Sequence, residues 1–141
     1  MRLRILFLAA VACACTARAP RPPVEVLVVW ARPADSAATT AAYFVLVNHG
    51  PAAVTLTSES SPIAEAAGLH ETMDMGGTMH MSALDAPLVI APGDSLVLKP
   101  GGRHLMVSGL TRRLVAGDSL PLLLNFADGR ALRAVAVIRA P

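Results

Sequence analysis

No cysteine lies beyond Cys15 in this 141-residue chain. A disulfide framework is therefore excluded from everything downstream, as is a blue-copper centre, which needs a His/His/Cys set. A membrane-spanning segment is missing from the sequence too. The N-terminal apolar stretch, Ile5 to Ala14, covers about ten residues, where about 20 are needed to cross a bilayer. No segment keeps a 3.6-residue periodicity for long, and no low-complexity block or linker follows Pro23. Nor does charge of one sign predominate. Arg2, Arg4 and Arg18 sit in the N-terminal segment, so a chain starting at Pro20 keeps nine basic residues against ten acidic ones. Scattered charges near neutrality give no electrostatic footprint for nucleic acid.

What is present begins with export. Met1-Arg2-Leu3-Arg4 is a basic n-region, and the apolar run behind it has the length of a secretory h-region. Residues 1–19 are read as a signal segment and residues 20–23 as a proline-rich spacer. Residues 24–141 are read as one β-domain, long enough to bury a real core. Two endings of the signal stay open. Ala10-Val11-Ala12 before Cys13 resembles a lipoprotein cleavage box, which would leave a lipid-anchored Cys13 or Cys15. Plain cleavage after Ala14, Ala17 or Ala19 is the other. Either places the domain in the periplasm, an oxidising compartment where a structural thiol is at risk.

Strands are expected at Val24 to Trp30, Ala41 to Val47, Ala53 to Ser58, Leu96 to Lys99, His104 to Val107, Leu120 to Phe126 and Ala131 to Ile138. In the last, Leu132, Ala134, Ala136 and Ile138 take one face and Arg133 the other. Asn48-His49-Gly50-Pro51 reads as a hairpin turn with positive φ, returning the chain through Ala53 to Ser58. Ala64-Glu65-Ala66-Ala67 reads as a short helical turn limited by Gly68. Short strands at spacings near ten residues, divided by Gly, Pro and Asp turns, specify an all-β sandwich or barrel.

Chemistry concentrates between Gly68 and Gly109. His70, Met73, Met75, Met79, His80, Met81, His104 and Met106 all fall there, which leaves only Met1 and His49 outside. His104 and Met106 are two apart on one strand, so they leave the same face. If Gly76-Gly77 forms a two-residue hairpin turn, Thr72 pairs with Met81. His70, Thr72, Met79 and Met81 then share one face, and Met73, Met75 and His80 the other. His70 and Met81 become diagonal neighbours about 7–8 Å apart. Thioether and imidazole without thiolate form a soft set suited to Cu(I) and poorly suited to Zn(II) or Mg(II). The bland alternative is methionine as core filler. Confinement of five methionines to one region, with His-x-Met behind a glycine turn, argues against filler. His49, at Asn-His-Gly, is an exposed turn residue, while Met73, Met75, Met79 and His80 stay open between weak ligands and loop residues.

These residues resemble the periplasmic copper chaperone PCu(A)C family. The likeness rests on His70, ten residues, Met81, twenty-two residues, then His104-Leu105-Met106. Leu69-His70-Glu71-Thr72, Lys99 through Met106, Ala116-Gly117-Asp118 and the stretch from Tyr43 to Asn48 carry it further, over Val24 to Ile138. The second gap is one residue longer than the family's usual spacing, an insertion that falls near Ala86-Pro87 or Pro92-Gly93. The resemblance implies a cupredoxin-like β-domain that is monomeric and not an enzyme. It implies Cu(I) held by His70, Met81, His104 and Met106, and copper passed to cytochrome c oxidase assembly, to an oxidase subunit or an Sco-type protein.

Two other readings compete. Gly-Asp-Ser-Leu occurs twice, at Gly93 to Leu96 and Gly117 to Leu120, and names a family of serine esterases. Yet no histidine follows His104 to activate a serine, and a turn before a strand explains both copies. Copper storage or resistance at the envelope, without an oxidase client, would use the same four residues.

Overall fold

A computed structural model describes residues 22–84 and 87–140. The signal segment, Cys13 and Cys15, and Ala86 of the expected insertion point lie outside the described residues. Ten strands account for the architecture, with no helix among the described residues. They are β1 (Val24–Ala31), β2 (Thr40–Asn48), β3 (Val54–Ser60), β4 (Ala64–Asp74), β5 (Met79–Ala83), β6 (Leu88–Ile90), β7 (Ser95–Val97), β8 (Arg103–Leu110), β9 (Ser119–Phe126) and β10 (Ala131–Ile138). Their hydrogen-bonded order is β5-β4-β8-β2-β1-β10-β9-β3-β6, with β7 also on β2.

The path curls round one core. Phe44 and Leu46 of β2, Leu105 and Val107 of β8, Leu120, Leu122 and Leu124 of β9, and Ala136 and Ile138 of β10 belong to a single buried cluster. Inward residues alternate with outward ones, as a strand's two-residue period requires. In β10 Ala134, Ala136 and Ile138 are buried and Arg133 is exposed. β2 lies at the centre and borders three strands. β1 carries a bulge. Leu27 stands opposite Val45 but Trp30 opposite Tyr43, and Val28 between them has φ 52°. The extra residue bends the strand, and beyond it Trp30 and Ala31 pair in parallel with Val137 and Ile138 of β10.

Three local expectations are corrected. Residues 64–67 are not a helical turn; they begin β4, with Ala64 opposite Leu110 and Ala66 opposite Ser108. Four residues are too few to repay helix nucleation, whereas β8 offers a ready ladder. β3 does not return along β2, because β2 has both edges occupied, one by β1 and the other by β7 and β8. β3 crosses instead to β9 and β6. Finally, neither Asn48 nor Gly50 has positive φ. The Asn48 side chain shapes that corner, fully buried. Its amide donates to the carbonyls of Ala52 (2.8 Å) and Ile90 (3.0 Å), and its Oδ1 accepts from the Gly50 N–H (3.0 Å). The short β6, which Asn48 helps to hold, has no counterpart among the sequence-based strands.

Asn48→Ala removes these partners and leaves the buried Ile90 carbonyl unsatisfied, at about 1–3 kcal/mol, together with the part-buried Ala52 carbonyl and Gly50 N–H, at less. Urea unfolding is expected to show a loss of about 2–4 kcal/mol. A loss below about 0.5 kcal/mol, the range of neutral surface changes, would contradict the role given to this side chain.

Candidate functional site

The β4–β5 hairpin is built on Gly76 and Gly77, whose φ values of 70° and 89° are those of a two-residue primed turn. The Met75 N–H donates to the Thr78 carbonyl at 2.8 Å, and a Gly77 N–H to Asp74 Oδ1 bond of 2.7 Å tightens the loop. Pairing then runs Asp74–Met79, Met73–His80, Thr72–Met81 and His70–Ala83. That is the register the two-glycine turn requires. His70, Thr72, Met79 and Met81 therefore lie on one face and Met73, Met75 and His80 on the other.

On its other edge β4 pairs with β8, with His70 opposite His104 and Gly68 opposite Met106. Side chains of directly opposed residues leave the same face. The structure thus brings His70, Met81, His104 and Met106 to one face of three adjacent strands. Their neighbours Leu69 and Leu105, 4% and 0% exposed, point the opposite way into the core. The imidazoles of His70 and His104 lie with ring centroids 6.0 Å apart and planes inclined by 26°. Met81, His104 and Met106 line one surface cleft, walled across by Arg32, Pro33 and Thr39 of the β1–β2 connection and by Thr40 and Ala41 at the start of β2.

Each imidazole has a distinct setting. His104 is buried, and its Nδ1 lies 3.0 Å from the Gly102 carbonyl. A carbonyl only accepts, so Nδ1 carries the proton and Nε2 keeps its lone pair. The same carbonyl accepts the Thr72 N–H at 3.2 Å, which ties the Lys99–Gly102 loop to β4. His70 Nδ1 is buried with no hydrogen-bond partner among the described residues. An orphaned buried nitrogen beside a second imidazole with a free lone pair is an arrangement that asks for a ligand. Gly68 leaves the floor open, since a Cβ there would meet nothing within 4 Å.

The methionines are not packing. None of the five among the described residues belongs to the buried cluster, and Met73, Met75, Met79 and Met81 are 47%, 63%, 58% and 53% exposed. No group of three or more His, Cys, Asp or Glu able to hold a metal ion exists among the described residues. The four residues gathered on this face offer imidazole and thioether groups, with no carboxylate or thiolate. Such a set stabilises a soft monovalent cation better than a divalent one, which favours harder or anionic ligands.

A family profile described as "Putative lipoprotein LpqE-like" matches residues 24–138. The chain belongs to the LpqE-like family. A curated relative, "Putative lipoprotein Lxx21020" of Leifsonia xyli subsp. xyli, is 34% identical over 106 residues, 75% of this chain. The chain spans only 63% of that relative's length. Among solved structures, the apo PCuAC domain from PmoF1 superposes with TM-score 0.69 at 24% identity, covering 85% of this chain and 96% of that one. The Cu(I)-bound solution structure of DR1885 from Deinococcus radiodurans matches with TM-score 0.59 at 29% identity, covering 90% and 83%. The LpqE-like chain thus has the all-β fold of PCuAC domains, in line with the family resemblance its residues carry.

Other sequence features fall outside the cleft. His49 is exposed at the β2–β3 corner, its Nε2 2.8 Å from Glu25 Oε2. Both Gly-Asp-Ser-Leu copies are turns before strands. Gly93 and Gly117 have positive φ, Asp94 Oδ1 accepts from the Ser95 N–H, and Asp118 Oδ2 accepts from the Val115 N–H. Sequence reasoning missed the wall around Arg32 and the Gly102 carbonyl. Only the double glycine before His104 hinted at the latter.

Long-range proton–nitrogen NMR is expected to show His104 protonated at Nδ1, with Nε2 carrying the free lone pair. The reverse tautomer would contradict the positioning role of Gly102.

Proposed function

We propose that this chain is an exported copper carrier holding one Cu(I) between the imidazoles of His70 and His104 and the thioethers of Met81 and Met106. The carrying observation is the gathering of these four residues on one face of β5, β4 and β8, with two imidazoles side by side at 6.0 Å. The Cu(I)-bound form of DR1885, a protein 29% identical to this one, supports the choice of ion. Copper here is cargo. The donor set can take it without losing protons at sulfur and cannot be disabled by disulfide formation.

His104 presents Nε2 because Gly102 occupies its Nδ1. His70 contributes the second imidazole, and Met106 closes the set from the strand that carries His104. Met81 is the exposed member, 53% accessible on the edge strand β5. A ligand at a free edge favours hand-over of the ion above long-term storage. The acceptor is an Sco-type protein or a cytochrome c oxidase subunit, so delivery serves oxidase assembly. Export follows from the basic and apolar N-terminus, and the lipoprotein naming of family and relative favours a lipid anchor at Cys13 or Cys15.

Competition with a chromophoric Cu(I) chelator tests the site. One Cu(I) per chain held tightly enough to survive that competition, and much weaker Zn(II) binding at this site, are expected; a preference for zinc would overturn the assignment. Met81→Leu and Met106→Leu conserve apolar volume at a cost usually below about 1.5 kcal/mol. Each is expected to weaken Cu(I) binding at least about tenfold, or about 1.4 kcal/mol, whereas Met73→Leu and Met75→Leu affect this tight site far less. Equal losses in all four variants would refute the division of faces.

The client is tested in cells. Deletion of the gene is expected to lower cytochrome c oxidase activity under copper limitation, with recovery on added copper. Unchanged activity would remove the oxidase from the account.

A further inference from the structure

The four-residue site does not use up the soft donors of the β4–β5 hairpin. β8 follows β4 only as far as the Glu71–Arg103 pair. Residues 73–81 therefore project as a two-stranded ribbon, exposed on both faces. On the face turned away from His70, Met73 stands directly opposite His80. Met75 follows two residues on, on the same side. All three are exposed. Packing does not explain them, because strands favour β-branched and aromatic residues, and exposed thioethers gain nothing from burial.

Opposed side chains on an antiparallel pair start about 4.5–5.5 Å apart at Cβ, and diagonal neighbours within about 7–8 Å. Two flexible thioethers and one imidazole on such a lattice can converge on a single ion above the ribbon. We infer that Met73, Met75 and His80 form a second Cu(I) site on the back of the hairpin. It shares the metal chemistry proposed above but none of the residues, so either site can fail alone. The second site is the weaker. Its three side chains are exposed and must be ordered on binding, whereas His104 is already buried and hydrogen-bonded. The intervening ribbon keeps the two donor sets on opposite faces, so both fill at once.

The test is an anaerobic Cu(I) titration of the chain labelled with 13C at the methionine methyls, followed by NMR. The first equivalent is expected to shift Met81 and Met106, and the second to shift Met73 and Met75 together with the His80 ring. The apparent affinity of the second step should be at least tenfold lower. The double variant Met73→Leu/Met75→Leu should lose the second step and keep the first. The double variant Met81→Leu/Met106→Leu should still shift Met73 and Met75, whatever becomes of the inner site. Met73 and Met75 signals that stay in place up to tenfold excess Cu(I) would overturn the inference. So would movement of all four methyls in one step, which would mean a single shared site.

Discussion

The pairing of β4 with β8 in one register, His70 against His104, is the constraint on which the candidate site depends. A slip of one residue would turn every side chain of β4 to the other face. His70 would enter the core, and Leu69 would leave it. Two interactions hold the register, and their sizes decide between them. The Glu71–Arg103 bridge, 3.1 Å between partly exposed side chains, is worth about 0–1 kcal/mol. Burial of Leu69 and Leu105 on the inner face is worth about 1.5–3 kcal/mol for each side chain. Packing of the leucines therefore sets where the histidines point, and the ion pair adds little.

From that register the chemistry follows by subtraction. The core face takes the aliphatic residues, which leaves imidazole and thioether for the outer face, with no carboxylate or thiolate among the four candidate residues. A neutral set cannot offset the charge of a divalent ion as anionic ligands do, but it matches a soft monovalent one. Gly102 supports the candidate site through its backbone alone. Its carbonyl lies against the His104 ring and accepts the Thr72 N–H, so one loop couples the two strands that carry His70 and His104. Such outer contacts commonly matter to a metal site nearly as much as its ligands.

The sequence made legible whatever is local. Gly76-Gly77 sets a turn length, and turn length sets the faces of Met73 through Met81. His104 and Met106 share a face because they are two apart on a strand. The alternation of Leu132 to Ile138 named its own buried side. Illegible features were those settled by distant chain. The turn between β2 and β3 has the residue types of a hairpin and points to β2 as the partner of β3; only strands β1, β7 and β8, reached through the fold, show that β2 has no free edge. The wall of Arg32 to Ala41 reaches the site through the pairing of Ala41 with Met106, and nothing near Arg32 announces it. Ala64 to Ala67 has the composition of a helix and became a strand because β8 was available.

The central claim is a mixed sulfur and nitrogen coordination shell assembled across three strands. X-ray absorption at the copper K-edge, on the chain loaded anaerobically with one equivalent of Cu(I), tests it most directly. Both thioether sulfur and imidazole nitrogen should appear in the first shell, and Met81→Leu should reduce the sulfur contribution while the nitrogen remains. A shell of nitrogen and oxygen alone, or a sulfur signal unchanged in both Met81→Leu and Met106→Leu, would contradict the account.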